Sequence, residues 1–175
     1  MSDRYGNNQV VVTDNAGDAS TYQTRNFRFH SPSEHTIDGS HLAAELQVFF
    51  TDETAGTHVL SYLIDTAEDD SDDLTTFLAS ANEYEGWFAL DSDGYAEFDF
   101  ADLLTNSGNF WTYSGSLTDE DCDEGVTWTV FKEFKYITVG QLDVLQSRML
   151  AGADTYTGNN RVVQTGDKIA DITVY

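Results

Sequence analysis

The chain is 175 residues long and carries 31 Asp and Glu against 8 Lys and Arg, a formal charge of −23. That length suits one domain, 1–175, with one core, and 40% hydrophobic residues with 13% aromatics exclude wholesale disorder despite the charge. Nucleic acid is excluded as a partner because phosphate binding needs clustered Lys and Arg, and no apolar run approaches the ~18 residues of a transmembrane segment.

In chain order, the N-terminus (Met1 to Gly6) has no basic region leading into an apolar stretch, so no signal peptide is expected in this stretch: either the chain stays where it was made, or the sequence begins downstream of a removed segment. Tyr22 to His30 alternates as a strand, with Phe27 and Phe29 on one face and Asn26, Arg28 and His30 on the other. Glu45 to Phe50 and His58 to Ile64 are β-rich runs bounded by turn residues. Asp72 to Ala81 reads as a helix, with Leu74, Phe77 and Leu78 at helical spacing behind acids suited to a helix N-terminus. Phe110 to Tyr113, Val126 to Phe131 and Tyr136 to Val139 are further strands. Gly140 to Leu150 is a second helix, placing Leu142, Leu145 and Met149 together. The expected class is mainly β (α+β): a central twisted, mostly antiparallel sheet with a few short surface helices.

The acid excess comes in clusters. Glu68 to Asp73 reads as a solvated loop, with weak divalent cation binding as the lesser alternative. Asp91-Ser92-Asp93-Gly94 lacks the first and closing ligands of a calcium loop, where Ala89 and Phe100 stand. Five acids from Asp119 to Glu124 surround the only cysteine, Cys122, an electronegative setting that makes it a poor candidate nucleophile. Such an acid excess repels itself. The melting temperature is therefore expected to rise between low and moderate salt, as screening relieves the repulsion. A flat melting curve across a salt series would show that the charges are already neutralised or well spread.

Four ordered segments carry a family resemblance. Phe27-Arg28-Phe29-His30 followed by Ser33-Glu34-His35 resembles the first metal-ligand strand of the α-class carbonic anhydrases. Ala44-Glu45-Leu46-Gln47-Val48-Phe49-Phe50 is similar to their next ligand strand. Trp111 to Thr118 with Gly125 to Trp128, and Asn159-Asn160-Arg161 with Gln164, resemble two later family segments. Against that pattern the chain begins late, so a carbonic-anhydrase-like fold shortened at its N-terminus is expected. The resemblance also favours an extracellular or organelle-lumen setting, though the compartment is unknown.

The resemblance places three zinc histidines at positions 28, 30 and 47, where this chain has Arg28, His30 and Gln47. Residues two apart on a strand share a face, so 28 and 30 point together and 47 joins them from the neighbouring strand. A fixed guanidinium and a weak amide leave one good ligand, so no zinc and no other cofactor is expected. Arg28 is expected to fill the metal space and pair with Glu45 or Gln47. The resemblance makes Glu45 the residue that orients the third ligand, and Glu34 with Thr118 a vestige of the pair that orients a metal-bound hydroxide. It makes Phe49, Val59, Leu117, Val126 and Trp128 the former substrate pocket, narrowed by Phe49, and His35 a supporting hydrogen-bonding residue. It also gives Cys122 a disulfide partner in the family's N-terminal stretch, leaving it here free, paired between chains or paired to a separate fragment.

The expected function is a catalytically inactive module in a protein assembly, with a protein partner covering apolar surface near Val10 to Val12 and Tyr22. Two alternatives stay open: a carbonic anhydrase with an altered metal site, and an acidic calcium-binding matrix or storage protein.

Overall fold

The structure is a computed structural model and describes residues 9–13, 16–52, 56–67, 108–119, 121–149, 155–164 and 173–174. Along the chain run β1 (Gln9–Thr13), β2 (Ala19–His30), β3 (Thr36–Ile37), β4 (Ser40–His41), β5 (Ala44–Asp52), β6 (Gly56–Thr66), β7 (Phe110–Ser116), β8 (Glu124–Phe131), β9 (Lys135–Ile137), α1 (Val139–Met149) and β10 (Thr173–Val174). The main sheet runs β1-β2-β5-β6-β8-β7-β10, with β9 also beside β6. It is mixed: β8 and β9 lie parallel to β6, and the other pairs are antiparallel. The helix expected over 72–81 and the acidic runs at 68–73 and 91–94 lie outside the described residues.

Period-two alternation divides β5, β6 and β8 into two buried faces. Ala44, Leu46, Val48 and Phe50 join Leu60, Tyr62, Ile64 and Phe131 in the larger core, together with Leu145 of α1. Glu45, Gln47 and Phe49 point to the other face, where they meet Leu63, Ser61 and Val59 across the ladder. The functional side chains therefore stand on a strand that is buried on both faces, with Glu45 and Gln47 wholly inaccessible. Few positions could be held more rigidly.

β2 departs from simple alternation. A bulge between Thr24 and Asn26 sets two of its residues against one step of β5. The extra residue reverses the parity. Tyr22, before the bulge, and Phe29, after it, consequently share the larger core, with Phe27 packed against it. β1 pairs Val10 with Tyr22, which is buried, and Val10 and Val12 pack on the core. The uncovered apolar surface expected at Val10 to Val12 and Tyr22 is thus reduced to Val11, 61% exposed.

The strand expected over Tyr136 to Val139 stops at Ile137, and Val139 already belongs to α1. Thr138 explains the boundary. Its hydroxyl accepts from the Gln141 amide at 3.2 Å while the Gln141 side chain accepts from the Thr138 amide at 2.8 Å, a reciprocal cap that starts the helix.

His58 lies in the larger core, 2.9 Å from the Thr129 hydroxyl and edge-on to the Tyr22 ring. Burial pushes its pKa down to about 4. The unfolded chain binds a proton there near 6.5, so this contribution to stability is full above that pH and disappears as pH falls towards 4. About 3 kcal/mol is at stake. Chemical denaturation at pH 7 and pH 4.5 should show a loss in the natural chain that His58→Phe reduces; an unchanged loss in the variant would remove His58 as its source.

Candidate functional site

The site stands on the β2–β5 ladder. Arg28 faces Gln47 and His30 faces Glu45 in register, so all four side chains project from one side of the sheet. Three loops complete it: residues 31–35 after β2, residues 117–119 after β7, and the C-terminal segment 155–164.

Glu45 is the anchor. Its carboxylate accepts from the backbone amides of Glu34 and His35, the Gln47 side chain, the Ser61 hydroxyl and His35 Nδ1, the last at 2.7 Å. Burial alone would raise its pKa, but the facing His35 charge and these bonds outweigh burial and hold it at about 2. The same pair works on His35: burial lowers its pKa, and the Glu45 charge more than compensates, leaving it raised. His35 Nε2 lies 2.7 Å from the Tyr113 hydroxyl. The supporting role expected of His35 is therefore visible in its contacts.

Gln47 donates from one amide nitrogen to Glu34 Oε2 at 2.9 Å and to Glu45 Oε1 at 3.0 Å. Its Oε1 is buried and has no hydrogen-bond partner among the described residues. Glu34 also accepts from the Arg161 backbone amide at 3.0 Å, and its Oε1 lies 3.5 Å from His30 Nδ1. No hydrogen bond joins Glu34 to Thr118 among the described residues. The expected pair is replaced because Gln47 and Arg161 take the carboxylate.

His30 is set by the C-terminal segment. Its Nδ1 is 3.0 Å from the Asn159 carbonyl, which makes Nδ1 the protonated nitrogen and leaves Nε2 buried, with no hydrogen-bond partner among the described residues. The Asn159 side chain accepts from the Ser31 amide and donates to the Phe29 carbonyl, and Tyr156 donates to the Ser31 carbonyl. Gly158 permits this approach: its φ is +97°, and a Cβ there would sit 3.3 Å from Pro32. The sequence motif at Asn159 to Gln164 signals this segment, but its clamp on β2 exists only in three dimensions.

Arg28 does not pair with Glu45 or Gln47. Its guanidinium reaches Asp119 Oδ2 at 3.4 Å and lies 4.7 Å from the centre of the Phe49 ring. Glu45 is already saturated with donors, and Arg28 remains 38% exposed where Asp119 stands, so the charge keeps part of its hydration. Arg28 therefore leans towards the pocket mouth instead of filling the metal space. Phe49, Val59, Val126 and Trp128 form one buried cluster with Leu117 and Tyr113 packed on it, so the expected pocket residues do come together. Cys122 is a free thiol that donates to the Asp119 carbonyl at 3.2 Å.

A curled mixed sheet with a polar cluster of this kind on one face is the carbonic anhydrase fold. A sequence model of eukaryotic-type carbonic anhydrases matches residues 2–168, and the chain belongs to this family. It is 29% identical over 150 residues to alpha carbonic anhydrase 7 of Arabidopsis thaliana, covering 84% of this chain and 52% of that protein. Alpha carbonic anhydrase 6 of the same plant is 36% identical over 115 residues, covering 66% and 42%. The chain thus spans about half the length of these relatives. Alpha carbonic anhydrase from Thermovibrio ammonificans, solved with the inhibitor sulfanilamide, superposes with a TM-score of 0.67 at 25% identity, covering 98% of this chain and 76% of that one. The family normally binds zinc.

Proposed function

We propose that this chain is a carbonic-anhydrase-like domain that does not hydrate carbon dioxide and serves as a binding module within a protein assembly. The observation that carries this reading is the set at the three ligand positions: Arg28, His30 and Gln47, side by side on the β2–β5 ladder. A catalytic zinc takes lone pairs from three protein ligands and keeps a fourth position open. His30 Nε2 offers one such lone pair, Gln47 Oε1 a weak neutral one, and Arg28 only N–H donors on a permanent cation. These residues do not fit zinc. The partner is a protein, and the acidic remainder of the surface stays in solvent or meets basic segments.

Stopped-flow hydration measurements with zinc added test the reading. The rate is expected to match buffer and to be indifferent to a sulfonamide. Sulfonamide-sensitive turnover would establish an enzyme with an altered metal site. Light scattering tests the assembly: a stable monomer that binds no hydrophobic dye would overturn it.

A further inference from the structure

The site sets three unpartnered acceptors beside one cation, Arg28, which is turned to Asp119. His30 Nε2, Gln47 Oε1 and Asp119 Oδ1 are buried atoms with no hydrogen-bond partner among the described residues. Each is held as an acceptor by what the rest of its group does. His30 Nδ1 is committed to the Asn159 carbonyl, Gln47 Nε2 to Glu34 and Glu45, and Asp119 Oδ2 to Arg28. His30 is 8% exposed and Gln47 fully buried, so bulk water does not satisfy these two; the Asp119 side chain is 37% exposed, with Oδ1 as its buried atom. A buried acceptor left unpaired is costly, and three of them on one side of the β2–β5 ladder point to an occupant that brings donors.

The three belong together. Arg28 and Gln47 are register partners, His30 shares the face of Arg28 two residues on, and Asp119 is tied to Arg28. Glu34 links the inner two, bonded to Gln47 and 3.5 Å from His30. The charge is lopsided as well. With Arg28 set against Asp119 and His35 against Glu45, Glu34 remains as an additional carboxylate. An anion would meet three lone pairs and an excess negative charge.

We propose that this pocket takes a primary ammonium group, its three N–H bonds directed to His30 Nε2, Gln47 Oε1 and Asp119 Oδ1. Its carbon chain leaves along the apolar wall of Phe49, Leu117 and Trp128. This rests on the reading above that the site no longer suits zinc. The pocket then has changed the sign of the ligand it prefers, from an anion held on a metal to an organic cation held by hydrogen bonds.

Calorimetric titration with methylammonium and benzylammonium chloride, in a background of tetramethylammonium chloride at matched ionic strength, tests this. One saturable site is expected for both amines, tighter for benzylammonium because of the apolar wall. Asp119→Asn should weaken binding about tenfold or more by removing a charged acceptor. Arg28→Gln should tighten it by removing the competing cation. In nitrogen NMR the His30 Nε2 resonance should move on titration, which a purely structural effect of either substitution would not produce. Absence of saturable binding overturns the proposal, as does an amine response that leaves His30 Nε2 unmoved. Saturable binding of sodium acetate that Arg28→Gln abolishes would make the pocket an anion site and overturn it too. Zinc chloride is titrated separately: tight zinc binding by the unaltered chain would overturn the zinc-free reading along with this one, whereas amine failure without zinc binding overturns this one alone.

Discussion

Arg28→His combined with Gln47→His is expected to yield a chain that retains a stoichiometric zinc ion through gel filtration, where the natural chain is expected to retain none. Three features favour the repair. His30 already holds its Nε2 lone pair free because Asn159 fixes the other nitrogen. Glu45 stands beside position 47, where a histidine could donate its second N–H to it as metal-bound imidazoles commonly do. Positions 28 and 47 are register partners on a ladder that is buried and braced, so the new rings start on the correct side. Three imidazoles in place of one raise affinity by many powers of ten, since tight zinc sites are worth roughly 10 kcal/mol or more. Elemental analysis reads the result. A folded double variant without zinc would show that Phe49 and Asp119 have closed the pocket independently of the ligand losses. Either single variant should bind far more weakly than the double.

Glu45→Ala should be the most damaging single substitution in the site. It removes the acceptor of five donors, among them two backbone amides and the His35 ring. Breaking one partner of a buried ion pair costs about 3–5 kcal/mol, because the other charge stays buried and unmatched. For a domain of this size that is a fall in melting temperature of roughly 10 °C. The linkage has two edges that belong to one ion pair. Glu45, held at about 2, contributes stability that is present above its ordinary value of 4.5 and is lost as pH falls towards 2. His35, raised above 6.5, contributes stability that is full below 6.5 and is lost as pH climbs through its folded value. Glu45→Gln should therefore flatten both limbs of the stability–pH profile at once. A variant that keeps the profile of the natural chain would show that Glu45 is not the anchor.

Both experiments depend on residues whose importance is unequally visible in the sequence. Period-two alternation and turn residues place Glu45 to Phe50, His58 to Ile64 and Val126 to Phe131 in strands, and the structure contains each within β5, β6 and β8. The reason is local: a half-turn of side-chain direction per residue is a property of the strand itself. The same arithmetic puts positions 28 and 30 on one face; the family resemblance added position 47, and the observed register sets it opposite 28. Ordered motifs added the family, and a family model over residues 2–168 agrees. Leu142, Leu145 and Met149 identify α1, because their spacing matches the helical period.

What the sequence left open was settled by contacts between distant segments. The bulge at Thr24 to Asn26 restores Tyr22 and Phe29 to one core, yet a bulge arises from how two strands fit and not from the composition of either. Arg28 was expected among Glu45 and Gln47, its nearest acceptors along the ladder, and it pairs with Asp119, 91 residues away. Glu45 was unavailable because folding had already filled it with five donors, and saturation of an acceptor is visible only when every donor is in place. Glu34 follows the same logic, taken by Gln47 and by Arg161 from the C-terminal segment. The identity of each group was written in the chain; which groups remained without a hydrogen-bond partner among the described residues, at His30 Nε2, Gln47 Oε1 and Asp119 Oδ1, was decided only by the tertiary structure, because hydrogen-bond satisfaction is a property of the whole packed arrangement.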